Sequence, residues 1–241
     1  MSIKSQERLI VALDLPSIAA ASKMVKDLHG VADFFKIGLA LQLAEGVEAF
    51  IRRLIGDGNR VFLDYKYYDI PETMKKSVAR AAELGVDFLT IHGSSSLIRA
   101  AVEGRGQSKL KLLTVTVLTT WDKTDLIEMG YPEHTVEEVV LFRARKALEA
   151  GSDGVIASGQ EAEAIRRLST KLLIVTPGIR PDGYREDDQK RRTTPRDAIT
   201  AGADYLVIGR PITDEPDPRK AAEEILGQMQ EAFDTSLSVR A

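Results

Sequence analysis

Asp64, Lys66 and Asp69 fall within six consecutive positions of the stretch Arg60-Val-Phe-Leu-Asp-Tyr-Lys-Tyr-Tyr-Asp-Ile-Pro71. Strand side chains alternate between faces, so a strand over 61–66 puts Asp64 and Lys66 on one wall and Leu63 on the other. Asp69 follows where the strand gives way to a loop, and Pro71, with its fixed φ, suits the first turn of a helix. Charges set this close are costly unless a ligand or a chemical task uses them, which points to acid–base or electrostatic work at the strand's carboxyl end. For an isolated Asp-x-Lys, a structural salt bridge is an equal reading; the third charge weighs against it.

The elements that must position these groups are legible as alternating apolar runs and helical stretches. The chain has 241 residues, close to the roughly 250 of one α/β barrel, so a single domain over 1–241 is expected. Strands are expected over 8–14, 33–39, 61–66, 88–93, 111–119, 154–159, 172–179 and 205–211. Helices follow each of them: to residue 28, then over 42–55, 71–84 and 94–103. The fifth is split into 122–129 and 135–150, and the rest span 161–168, 195–201 and 218–233. Eight strand–helix alternations with strands apolar on both faces specify a (β/α)8 TIM barrel. A doubly wound open sheet is the alternative, but eight even units favour closure. No Gly-x-Gly-x-x-Gly follows the first strand, which argues against a dinucleotide site there.

In such barrels chemistry sits at the carboxyl ends of the strands. Asp14, Lys36, Asp64, Lys66, Thr119, Arg180 and Arg210 all fall there. Gly209-Arg210 after the eighth strand, with the loop after the seventh, matches the usual phosphate position of these barrels, so a phosphorylated small substrate is expected; a solvated salt bridge is the plainer reading of Arg210. The 177–195 connection exceeds the usual 2–6 residues and reads as a lid, from which Gln189 could reach a ligand. His92 reads more readily as a hydrogen-bonded core residue than as an acid or base, Trp121 as packing, and Glu161 and Glu163 as a solvated helix face.

The balance of acids and bases, net −3, offers no field for nucleic acid or anionic membrane. Three scattered histidines and no cysteine exclude disulfides and thiolate chemistry and make a zinc site implausible. No apolar run approaches the ~18 residues that span a bilayer, and no export signal is visible, so the cytoplasm is the expected compartment.

In order along nearly the whole chain, Val-Ala-Leu-Asp14, Phe-Lys36-Ile-Gly, Asp64-Tyr-Lys66-Tyr-Tyr-Asp69-Ile-Pro, Val-Thr-Val-Leu-Thr119, Val-Thr-Pro-Gly-Ile-Arg180 and Val-Ile-Gly209-Arg210-Pro resemble the orotidine 5′-monophosphate decarboxylase family. The Asp-x-Lys-x-x-Asp core is shared with sister barrels; the Pro-Gly-Ile-Arg and Ile-Gly-Arg-Pro contexts make the set specific. The resemblance implies decarboxylation of orotidine 5′-monophosphate to UMP without cofactor or metal, in a homodimer with shared active sites. It implies a tetrad of Lys36, Asp64, Lys66 and the other subunit's copy of Asp69, with Lys66 as proton donor. It further implies Asp14 and Lys36 at the ribose hydroxyls, Thr73 contributing across the dimer, and Thr119 at the pyrimidine. Gln189, Arg210 and the Gly209 amide would grip the phosphate, and Arg180 would anchor the lid. Glu72 stands where the family pattern has Asn and Tyr68 where it often has His. Thr120 stands where Ser is frequent, which leaves the division of labour between Thr119 and Thr120 open. Two rivals remain: a Mg²⁺-dependent hexulose-phosphate synthase on a similar barrel, and a non-enzymatic nucleotide-binding barrel.

Overall fold

A computed structural model describes residues 4–239. Strands β1 (Leu9–Ala12), β2 (Phe34–Gly38), β3 (Arg60–Tyr67), β4 (Phe88–Ile91), β5 (Lys111–Val115), β6 (Gly154–Ile156), β7 (Leu173–Thr176) and β8 (Tyr205–Ile208) form a closed barrel in sequence order. Every neighbouring pair is parallel, β8 closing on β1. The expected (β/α)8 barrel is the observed one. Its helices are α1 (Ile18–Asp27), α2 (Leu39–Gln42), α3 (Val47–Gly56), α4 (Pro71–Leu84), α5 (Ser95–Arg105), α6 (Lys123–Glu128), α7 (Val136–Ala150), α8 (Gly159–Leu168), α9 (Pro195–Thr200), α10 (Arg210–Thr213) and α11 (Pro218–Val239). No helix of the described residues is long and apolar enough to cross a membrane.

Alternation along the strands builds two apolar compartments. Ile10, Phe34, Phe62, Phe88, Tyr205 and Val207 fill the barrel, while their strand neighbours pack outward against the helices. Phe34 and Phe88 meet edge to face at 5.0 Å, Phe88 and Tyr205 at 5.1 Å, and the Arg60 guanidinium lies 4.0 Å from the Phe34 ring centroid. This plug closes the amino-terminal end of the barrel. Two residues further along the same faces come Lys36 after Phe34, Asp64 after Phe62 and Gly209 after Val207, so the polar groups sit directly on an apolar floor.

A repeated device joins helices to strands at the closed end. Gly85-Val-Asp87, Gly151-Ser-Asp153 and Gly202-Ala-Asp204 lead into β4, β6 and β8. The carboxylates of Asp87, Asp153 and Asp204 accept the N–H of Val61, Leu112 and Ile174, the second residue of the preceding strand, at 2.8–2.9 Å. Each otherwise orphaned donor at the barrel floor is thereby satisfied.

The strands end earlier than their sequence pattern implies. β1 stops before Asp14, β5 at Val115, β7 at Thr176 and β8 at Ile208, where Arg210 and Pro211 open α10 instead. Apolar alternation continues past these points, but only single inter-strand bonds follow, from Leu13 to the Lys36 carbonyl and from Thr116 to that of Ile156. The helix expected over 42–55 starts later, at Val47: α2 is a separate turn before it, and Gly46, at φ +81°, leads the chain into α3.

Candidate active site

At the carboxyl ends of the strands a cavity of about 350 Å³ is lined by Asp14, Lys36, Asp64, Lys66, Thr119, Arg180, Gln189, Gly209 and Arg210. Nine residues singled out from the sequence thus meet in one space, within the range of small-ligand sites. Thr120 lines it as well.

Its floor is an alternating chain of charges. The Lys36 ammonium lies 3.0 Å from both carboxylate oxygens of Asp14 and 3.4 Å from Asp64, whose other oxygen accepts from Lys66 Nζ at 2.9 Å. Lys36 and Asp64 are nearly enclosed, whereas Asp14 is half exposed and Lys66 partly so. Burial alone would raise the Asp64 carboxyl; the ammonium groups of Lys36 and Lys66, with hydrogen bonds from Lys66 and Thr90, outweigh it and hold the group below the usual aspartate value. Gly38 makes room for this chain. A Cβ there would stand 2.6 Å from Asp14 Oδ1 and 2.8 Å from Lys36 Nζ.

Asp64 and Lys66 share a wall, but not through plain alternation. Leu63 and Tyr67 of β3 pair with Leu89 and Ile91 of β4, so Asp64, Tyr65 and Lys66 stand opposite Thr90 alone. Lys66 has φ +49°, the one positive φ of a non-glycine residue among the described residues. Its backbone N–H, taken out of the ladder, donates to Thr90 Oγ1 at 2.9 Å, and the Thr90 hydroxyl donates to Asp64 Oδ1 at 2.9 Å.

The far wall comes from the 177–194 segment. The Thr119 hydroxyl donates to Gln189 Oε1 at 2.6 Å, and Arg180, buried, donates to Asp187 Oδ2 through two nitrogens at 2.6 and 2.9 Å. Arg210 is paired with Asp188 and lies 3.3 Å from Asp187. Desolvation opposes ionisation of Asp187, but Arg180 and Arg210 hold it low. The same aspartates raise Arg210 against its own desolvation.

Sequence reasoning missed Arg191, which fixes the end of this segment. Buried at 6% exposure, it donates to Glu161 at 2.7 Å and to the carbonyls of Val117 and Leu118 at 3.0 Å. Glu161 is therefore not on a solvated face. It is buried, and its carboxyl is raised by desolvation that Arg191 only partly offsets. Glu163 does lie on the surface, paired with Arg167. A charged residue three positions from the end of the 177–194 segment gave no local sign that its partner lay thirty residues upstream.

Asp69 and Thr73 are not brought to this cavity within one chain. Asp69 is exposed and accepts the Ile70 N–H at 2.7 Å; Thr73 is half-buried on the first turn of α4. His92 lies just beyond β4, in neither core nor cavity. It faces a separate hollow of about 620 Å³ with Tyr68, Trp121 and Arg143, and burial, reinforced by Arg143 and Lys66, pushes its pKa down to about 4. Trp121 packs against the apolar core as well.

A closed parallel barrel with an alternating Asp/Lys chain at its carboxyl-terminal mouth defines a (β/α)8-barrel enzyme. The sequence model of the orotidine 5′-phosphate decarboxylase / HUMPS family matches residues 7–225, and the chain belongs to that family. It is 54% identical over 230 residues to an orotidine 5′-phosphate decarboxylase of Nitrobacter winogradskyi, covering 95% of both chains. It is 46% identical over 232 residues to one of Methylorubrum extorquens, covering 96% of this chain and 99% of that one. A crystal structure of orotidine 5′-phosphate decarboxylase from Lactobacillus acidophilus superposes with a TM-score of 0.79 at 34% identity, covering 92% of this chain and 98% of the other.

Proposed function

We propose that the chain, as one barrel domain over residues 1–241, decarboxylates orotidine 5′-monophosphate to UMP in pyrimidine biosynthesis in the cytoplasm. The observation that carries this reading is the Asp14–Lys36–Asp64–Lys66 chain on the cavity floor. Loss of CO₂ breaks the bond between the carboxylate and a pyrimidine ring carbon and leaves the electron pair in the ring plane, where the ring cannot delocalise it. Lys66 stabilises that carbanion and delivers the proton, giving UMP and a neutral amine that solvent reprotonates.

One ammonium about 4 Å from the carbon supplies on the order of 4 kcal/mol at an effective dielectric near 20, while enzymatic accelerations require roughly 8–23 kcal/mol. The rest comes from charges already in place and from phosphate contacts whose energy closes the lid and excludes water. Asp64 holds Lys66 in position and charged. Asp14 and Lys36 bind the ribose hydroxyls and Thr119 the pyrimidine; Gln189, Arg210 and the Gly209 amide take the phosphate, and Arg180, through Asp187, anchors the lid.

The homodimer reading accounts for Asp69 and Thr73. Tyr68 and Phe142, 70% and 60% exposed, line one hollow, and Ile70, next to Asp69 in the chain, is 66% exposed; apolar side chains left open here fit a second copy, whose Asp69 completes the tetrad. Lys66→Ala and Asp69→Ala variants, each inactive alone, recover activity on mixing if sites are shared. A mixture that stays inactive overturns sharing.

Ultraviolet absorbance of orotidylate tests the reaction itself. Bleaching on addition of the protein supports catalysis, and stable binding without bleaching overturns it in favour of a nucleotide-binding barrel. Turnover surviving EDTA separates the decarboxylase from a Mg²⁺-dependent synthase on the same barrel. Lys66→Ala is expected to abolish turnover while UMP still binds.

A further inference from the structure

Thr90 lies at 0% exposure on β4, on the barrel-facing side one step above Phe88. Its hydroxyl uses one acceptor and one donor function, and both partners belong to the reactive pair: the N–H of Lys66 and the carboxylate of Asp64. We propose that Thr90 is the positioning residue of the Asp64–Lys66 pair, its hydroxyl standing in for the ladder partner that the β3 bulge removes. The proposal rests on the decarboxylase reading of the site.

The physical case begins with the bulge. Three residues of β3 facing one of β4 leave the Lys66 N–H without a carbonyl, and a buried donor in that state opposes the conformation that creates it. Lys66 is also left-handed without being glycine, a conformation that persists only where its surroundings over-determine it. The Thr90 hydroxyl supplies the missing acceptor. The same oxygen then donates to Asp64 Oδ1, which also receives Lys66 Nζ, so the Lys66 backbone and the Asp64 carboxylate meet on one atom of β4 and the ammonium on the carboxylate oxygen it holds. Valine has nearly the same shape and neither function, whereas serine keeps the function and loses a methyl group. A purely space-filling role therefore ranks the two substitutions in the opposite order to a positioning role.

The experiment compares Thr90→Val and Thr90→Ser with the wild-type chain in orotidylate turnover and UMP binding. Thr90→Val is expected to lower kcat about tenfold or more while KM and the UMP dissociation constant stay within about twofold, because the phosphate and ribose contacts do not pass through Thr90. Thr90→Ser is expected to restore most of kcat. Wild-type kcat in Thr90→Val overturns the proposal, as does a serine variant no better than the valine one, or a valine variant whose only change is a lower Tm. If Thr90→Val does not fold, Thr90→Ala replaces it and the split between kcat and UMP binding decides: a loss of UMP binding as large as the loss of kcat overturns the proposal. A wild-type chain that binds orotidylate without turnover overturns the decarboxylase reading itself, and this proposal with it.

Discussion

The Arg210 guanidinium is held by the Asp188 carboxylate, so the cation assigned to the phosphate already has an anion from the lid. On the proposed reading, a phosphate entering the cavity would exchange with that carboxylate. Asp188→Asn is therefore expected to lower KM for the phosphorylated substrate by up to about fivefold, the scale of a partly exposed ion pair. Arg210→Ala is expected to raise KM about tenfold or more with a smaller effect on kcat. Steady-state kinetics check both, and an unchanged KM in Arg210→Ala removes it from the phosphate site.

Gly38 is tied to the same site by space. Its backbone lies so close to Asp14 and Lys36 that any Cβ meets both charged ends. Those ends are flexible, so the fold of Gly38→Ala should survive, but the ammonium must shift. A displacement near 1 Å is enough for about a 10²-fold loss of kcat/KM. Thermal melting alongside kinetics separates the outcomes: a large drop in Tm with kcat/KM intact contradicts this role.

How far the sequence went is clearest at α4, where Pro71 opens the helix and Gly85, at φ +85°, closes it as their chemistry dictates. The Asp122 and Thr135 caps likewise set the starts of α6 and α7. These signals are local. The β3 bulge is not, because whether Lys66 continues a strand depends on which residue of β4 lies opposite it. Thr90 therefore carries no local sign of its role, and Glu161 reads as solvated because nothing near it in sequence announces Arg191. Gathering the cavity-lining residues required only the rule that barrel chemistry lies at carboxyl ends; their pairing required the coordinates.

The Glu161–Arg191 pair is expected to be structural first. Arg191→Met leaves an uncompensated carboxylate in the interior and frees the end of the lid from the Val117 and Leu118 carbonyls. Losing one partner of a buried pair costs about 3–5 kcal/mol. Chemical denaturation of Arg191→Met, Glu161→Met and the double variant forms the test. The double variant should be more stable than the sum of the singles implies, and strict additivity would mean the two do not interact.

The pH dependence of stability should carry the signature of Asp64. Its carboxyl titrates below the ordinary value of 3.8 in the folded chain, because the ammoniums of Lys36 and Lys66 more than offset its burial. A depressed folded value means the folded state binds fewer protons than the unfolded one, so stability is gained as pH rises through this range. The contribution is fully present above the unfolded value and is lost as pH falls through the folded one. Asp64→Asn removes it and leaves Lys36 and Lys66 facing each other without an anion between them. Near neutral pH the variant should be less stable by about 2 kcal/mol, somewhat under the range for a fully buried pair because Lys66 is partly open to solvent. Urea unfolding of both proteins as a function of pH gives the difference directly. That difference should shrink below pH 3.8; a gap that stays constant to pH 3, or widens there, would mean that the carboxylate is not held by the two lysines.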